Sequence, residues 1–148
     1  MSQQCRLCSV GSARYLVRMT QPIVHLAFFK LNVPEMIPAL AFWGDAFGFE
    51  VAQTYDEADF LEKIMHLPGE QSGPNLMLVA YKDGRDVSVG HGHGAVGLQC
   101  TDITASHERA LAAGAVRSSG IMTVGGGIKV AVLHSPQGHE IELVQLPA

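Results

Sequence analysis

The chain carries the same punctuation twice. At Phe47-Gly48-Phe49 and again at Ala113-Gly114-Ala115, a run with helical spacing stops at a glycine between apolar residues. Glycine ends helices this way because it enters the left-handed region without a Cβ clash. Before the first stop, β-rich Ile23–Val33 leads through Pro34-Glu35-Met36 into Leu40, Trp43 and Phe47 at helical spacing, with Pro38 tolerable in the first turn. After it, Glu50–Tyr55, Phe60–Leu67 and Asn75–Lys82 read as strands between acidic and Pro/Gly-rich turns. Asp83–Gly92 is polar and glycine-containing, a linker. The second unit opens with strand Ala95–Cys100, Asp102 as N-cap and a helix over about Thr104–Ala113. Strands near Ala115–Ser118, Ile128–His134 and Glu140–Gln145 follow. The pattern predicts an α+β fold of two tandem βαβββ modules, about residues 22–83 and 93–146, in one domain over 22–148.

Composition narrows the function classes. A hydrophobic fraction of 47% with 16% charged residues fits a globular protein, and apolar runs such as Ile37–Trp43 are too short to cross a bilayer. With a net charge of −4 and no basic stripe, neither nucleic acid nor a membrane is expected as partner. Arg6, Arg14 and Arg18 lie in the first nineteen residues, and all 14 acids lie downstream. Without a clear amphipathic face, residues 1–21 read as an unstructured leader, with Met19 a candidate natural start. Cys5, Cys8 and Cys100 cannot build a disulfide framework, so a cytoplasmic location is expected. Cys5-x-x-Cys8 lacks the second pair of a zinc ribbon and the βαβ setting of a redox motif, and reads as bystander.

The most informative chemistry lies in His134-Ser-Pro-Gln-Gly-His-Glu-Ile-Glu-Leu-Val-Gln145, where a Pro-Gln-Gly turn feeds a strand with Glu140 and Glu142 on one face. A carboxylate in an apolar strand is costly to bury unless a cation or hydrogen-bond donor receives it. Glu142 is therefore the leading candidate for chemistry.

Leu31-Asn-Val-Pro-Glu35, Ala41-Phe-Trp-Gly-Asp-Ala-Phe-Gly-Phe49, Ala110-Leu-Ala-Ala-Gly114 and Ser135–Gln145, in this order and spacing, resemble the vicinal-oxygen-chelate superfamily of glyoxalase I, bleomycin-resistance proteins and extradiol dioxygenases. The resemblance covers about Pro22 to Gln145. It implies that the two modules fold as paired half-barrels. It also implies a divalent ion, held by ligands on the first and fourth strands of each module, that chelates vicinal oxygens of the substrate. Carried over position by position, the ligands fall on Phe28, near Met77, on Ala95 and on Glu142. Phe and Ala offer no donor, and a thioether suits a hard ion poorly. Only Glu142 is retained, as ligand or general base.

Among the histidines, His91 and His93 share the face of Ala95, and His93 is a candidate replacement metal ligand beside Glu142 if a strand slip or bulge turns it inward; the alternative is a solvated linker histidine. His25 points to the opposite face from Phe28, as a structural residue. His66, His107, His134 and His139 have no spacing relation to Glu142, apart from a rim position for His134. Strand phase places Phe28, Lys30, Asn32, Asn75, Met77, Tyr81, Ala95, Gly97, Gln99, Glu140 and Glu142 toward the cavity. Phe28, Asn32, Met77, Tyr81 and Gln99 are the expected substrate contacts, and Lys30 is expected to pair with Glu142 in place of the lost ion. The alternatives are that Lys30 and Glu142 form a purely structural ion pair across the barrel, or that Lys30 reaches solvent.

Two functional readings stay open. One is a lyase- or dioxygenase-type enzyme, assisted by a divalent metal ion or by Lys30, with Glu142 moving a proton beside a carbonyl; strict glyoxalase I activity is not expected. The other is a metal-free protein that sequesters a small aromatic or amphiphilic molecule. The resemblance further implies a homodimer.

Overall fold

A computed structural model describes residues 26–70, 73–90 and 92–148. The expected leader, Cys5, Cys8, His25 and His91 lie outside the described residues. The first module runs β1 (Phe28–Asn32), α1 (Met36–Phe47), β2 (Glu50–Asp56), β3 (Phe60–His66) and β4 (Asn75–Tyr81). The second runs β5 (Val96–Gln99), α2 (Ile103–Ala112), β6 (Val116–Arg117), β7 (Met122–Thr123), β8 (Lys129–His134) and β9 (Glu140–Gln145). The sheets have the orders β1-β4-β3-β2 and β5-β9-β8-β6, with β7 paired to β8. In each sheet the strand before the helix pairs in parallel with the last strand of its module, and the remaining pairings are antiparallel. This is the α+β architecture of two βαβββ-like units that the repeated pattern predicts.

Both helix boundaries follow local chemistry. Gly48 takes φ 82° and closes α1 with its N–H on the Gly44 carbonyl at 2.8 Å, while Asp102 caps α2 through the Ala105 N–H at 3.0 Å. The second module departs from the expected plain strand after its helix, at Ala115–Ser118. The amides of Ser118 and Ser119 both donate to the Val132 carbonyl, at 3.0 and 2.9 Å, so two residues oppose one and the ladder breaks after Arg117. Pairing resumes only at Met122, before Gly126 and Gly127 turn the chain with positive φ.

Alternation decides which face each strand buries. Leu31, Val33, Met65, Leu76 and Leu78 of the first module join Ala131, Leu133, Ile141 and Leu143 of the second in one core. Met36, Ala39, Phe42 and Trp43 of α1 and Ile103 and Ala110 of α2 close it. Trp43 is fully buried at its centre, with its ring centroid 5.5 Å from those of Phe42 and Phe47 and 5.8 Å from that of Phe49. The two helices are also tied by Arg109, whose Nε donates to the Asp45 carbonyl at 2.6 Å.

Candidate functional site

The faces turned away from the helices carry the polar side chains. On the first sheet the ladder aligns Lys30 with Met77 and Ile64, and Asn32 with Val79, Glu62 and Tyr55. On the second it aligns Gly97 with Glu142 and Val132, and Glu140 with His134. The predicted cavity-facing residues of each module therefore share one face of its sheet.

Lys30 is paired with Glu62, not with Glu142. Its Nζ lies 2.5 Å from Glu62 Oε2, with the lysine side chain 42% exposed and that of Glu62 only 11%. Both project from the same face of strands that flank β4, so the ammonium spans β4 to neutralise a carboxylate that burial would otherwise penalise. The same Nζ stands 5.6 Å from the Phe28 ring centroid. Glu142 is half-buried and belongs to none of the ion pairs among the described residues.

Two clefts separate the modules. The smaller, about 280 Å³, is lined by Lys30, Asn32, His93, Ala95, His139 and Glu140, with the linker residues Arg85–Gly90 as one wall. Five residues singled out in the sequence, Lys30, Asn32, His93, Ala95 and Glu140, thus meet there. Gln99 lines the larger cleft of about 540 Å³ instead. Glu142 lines neither of these two clefts; its β5 neighbour is Gly97, which has no side chain to cover it. Phe28 is 44% exposed on the open face beside Lys30, and Met77 is half-buried in the adjacent strand. Tyr81 is engaged elsewhere: Arg85 stacks 3.7 Å from its ring centroid and is held by Asp83, whose carboxyl those hydrogen bonds lower to about 2.

His139 is a site residue that spacing could not reveal. It is 6% exposed, and its Nε2 donates across the module boundary to the Asn32 carbonyl at 3.1 Å. That fixes the tautomer, so Nδ1 accepts from the Ser135 hydroxyl at 3.3 Å, while the His139 backbone N–H donates to the same oxygen at 3.1 Å. Burial pushes this imidazole below the ordinary histidine range; the Asn32 carbonyl opposes the shift and nearby His93 adds to it. Glu62 was missed too. The strand holding it is plain in the sequence, but only the ladder shows which face carries its acid.

The donor set does not fit a divalent ion. The positions that the resemblance assigns to ligands hold Phe28, Met77, Ala95 and Glu142, a single oxygen donor beside a thioether and two hydrocarbon side chains. No group of three His, Cys, Asp or Glu side chains among the described residues is arranged to hold one.

Comparison with known proteins gives a consistent picture. The family model of the Glyoxalase/Bleomycin resistance protein/Dioxygenase superfamily matches residues 23–143. No curated protein sequence matches the chain significantly. Glyoxalase I from Zea mays superposes with a TM-score of 0.75 at 16% identity, over 84% of this chain and 45% of the maize chain. This chain therefore spans about half the length of that relative. The trypanothione-dependent glyoxalase I of Leishmania major superposes with a TM-score of 0.71 at 14% identity, over 83% of this chain and 87% of its own. TioX from Micromonospora sp. ML1 gives 0.61 at 16%, over 84% of this chain and 100% of its own. At these identities the likeness is one of fold.

The His139 geometry has a pH consequence. Its pKa in the folded chain lies below the unfolded value of about 6.5, so between the two the unfolded state binds the extra proton. Stability contributed by neutral His139 is therefore complete above that unfolded value and is lost as pH falls through the folded one. Urea unfolding at about pH 7.5 and 5.5 should show the wild type losing more stability on acidification than His139→Gln; parallel losses would contradict this assignment.

Proposed function

The chain belongs to the Glyoxalase/Bleomycin resistance protein/Dioxygenase superfamily, and we propose that it binds a small aromatic or amphiphilic anion on the open faces of its sheets, without a resident metal ion. The observation that carries this reading is the substitution of the donor set: where an ion would need oxygen or nitrogen, the chain places Phe28, Met77 and Ala95. What remains suits recognition. Lys30 supplies positive charge, held in place by Glu62 but 42% exposed, so that its remaining N–H groups are open to a ligand. Phe28 and Met77 supply apolar contact beside it, and Asn32 and His93 supply polar contact in the smaller cleft.

A second reading rests on Glu142. It is an open-face acid that none of the described ion pairs claims, whereas Glu62 pairs with Lys30 and Glu140 faces His134 at 3.9 Å. A carboxylate so placed has a lone pair available to take a proton from a carbon beside a bound carbonyl. That is proton-transfer chemistry of the lyase type.

We further propose a homodimer. Phe28, Tyr55, Val116 and Met122 are 44%, 45%, 61% and 50% exposed, and all lie on the open faces, which a second copy would cover. Cytoplasmic residence is proposed from the low cysteine count. No helix among the described residues is long and apolar enough to cross a membrane.

Thermal shift across a panel of small aromatic acids should yield ligands that raise the melting temperature of the wild type, with Lys30→Gln weakening binding about tenfold. Equal binding by Lys30→Gln would remove the open-face anion site. Under the second reading, Glu142→Gln abolishes turnover of a bound substrate while preserving its affinity; retained turnover would leave Glu142 a recognition group only. Sedimentation of the purified chain should give a dimer, and a monomer at micromolar concentration would contradict the paired arrangement.

A further inference from the structure

The larger cleft is distinct from the open-face site and has its own chemistry. It lies where the C-terminal end of α1, the start of β4, the whole of β5 and the outer turn of α2 meet. Phe29 marks it. Strand phase aligns this ring with Leu31 and Val33, which are 8% and 0% exposed, yet Phe29 remains 47% exposed. The ring is directed to the helix-bearing side, and the core does not close over it. Phe47, Phe49 and Leu98 line the same space and are half-buried. A volume of about 540 Å³ falls within the range of small-molecule sites, and an aromatic lining of this kind favours an apolar body.

The polar end is set by Arg109, the one basic side chain in the lining. Its Nε is committed to the Asp45 carbonyl at 2.6 Å, which fixes the plane of the guanidinium. None of the ion pairs among the described residues uses it, so its two terminal nitrogens are left to meet a carboxylate side by side. The Ser106 hydroxyl lines the cleft one turn earlier on the same helix. Glu70, the acid in the lining, disfavours a second negative charge on the ligand.

We infer that this cleft is a second binding site, for a monocarboxylate with an apolar tail, whose head group pairs with Arg109 and whose body lies against Phe29, Phe47 and Phe49. The site has a different cationic anchor from the open-face anion site, since Arg109 lines this cleft and Lys30 the smaller one, although Phe29 and Val96 border both.

The single tryptophan reports on it directly, because Trp43 stacks within 5.5 Å of Phe47 and 5.8 Å of Phe49. Monomeric decanoate titrated into the full chain should change Trp43 fluorescence saturably, following a single-site curve. Decanol, which lacks the charge, should bind at least tenfold more weakly. Arg109→Gln should weaken decanoate at this cleft about tenfold while leaving decanol unchanged, and Ala105→Leu, which narrows the cleft without altering charge, should weaken both. Lys30→Gln should leave the decanoate-induced change in Trp43 fluorescence as it is. The inference is overturned if decanoate does not saturate, if Ala105→Leu or Arg109→Gln binds it like the wild type, or if Lys30→Gln alone removes it, since the ligand would then occupy the open face.

Discussion

Each half of this chain can seal only one face of its sheet. A single crossover helix covers one layer of side chains, so a βαβββ unit buries the residues under the helix and leaves the alternate set exposed. Here α1 and α2 are spent on one shared core, with Trp43 and Ile103 fully buried within it. The remaining faces hold residues that do not belong in a core: Lys30, Asn32 and Glu62 on one sheet, Glu140 and Glu142 on the other. Function follows from that division, because the open faces are where charge and exposed aromatic surface are tolerated together.

The junction between the halves is the second consequence. β1 and β5 each end their sheet and share no ladder with one another. The modules are joined instead by the common core and by two polar ties, Arg109 to the Asp45 carbonyl and His139 to the Asn32 carbonyl. Side chains rather than backbone fill the space beside these edges, and both clefts are lined in part by Phe29 and Val96. A buried histidine is a costly tie, since protonation removes the acceptor that Ser135 Oγ uses.

Much of the fold was legible because period and punctuation agreed. The glycine stops, the Asp102 cap and the alternating strands each point to the same elements, as expected of a sequence whose local and global preferences coincide. The exception, the strand after α2, turns on a bulge at Ser118 and Ser119 that depends on where the partner carbonyl of Val132 falls. The site was less legible for a related reason. Strand phase gave the face of Lys30 and Glu142 but not the partner of Lys30, which requires the register across β1, β4 and β3; that register brings Glu62 to Lys30. His139 and Asn32 stand 107 residues apart, and no local pattern signals their contact.

We propose that this chain keeps the architecture of its superfamily while the positions that the resemblance assigns to ion ligands, Glu142 apart, hold no hard donor. Metal content measured on protein purified without chelators tests it most directly. The account predicts no stoichiometric divalent ion, and no change in that result for Glu142→Gln. One tightly held ion per chain that disappears in Glu142→Gln would contradict it.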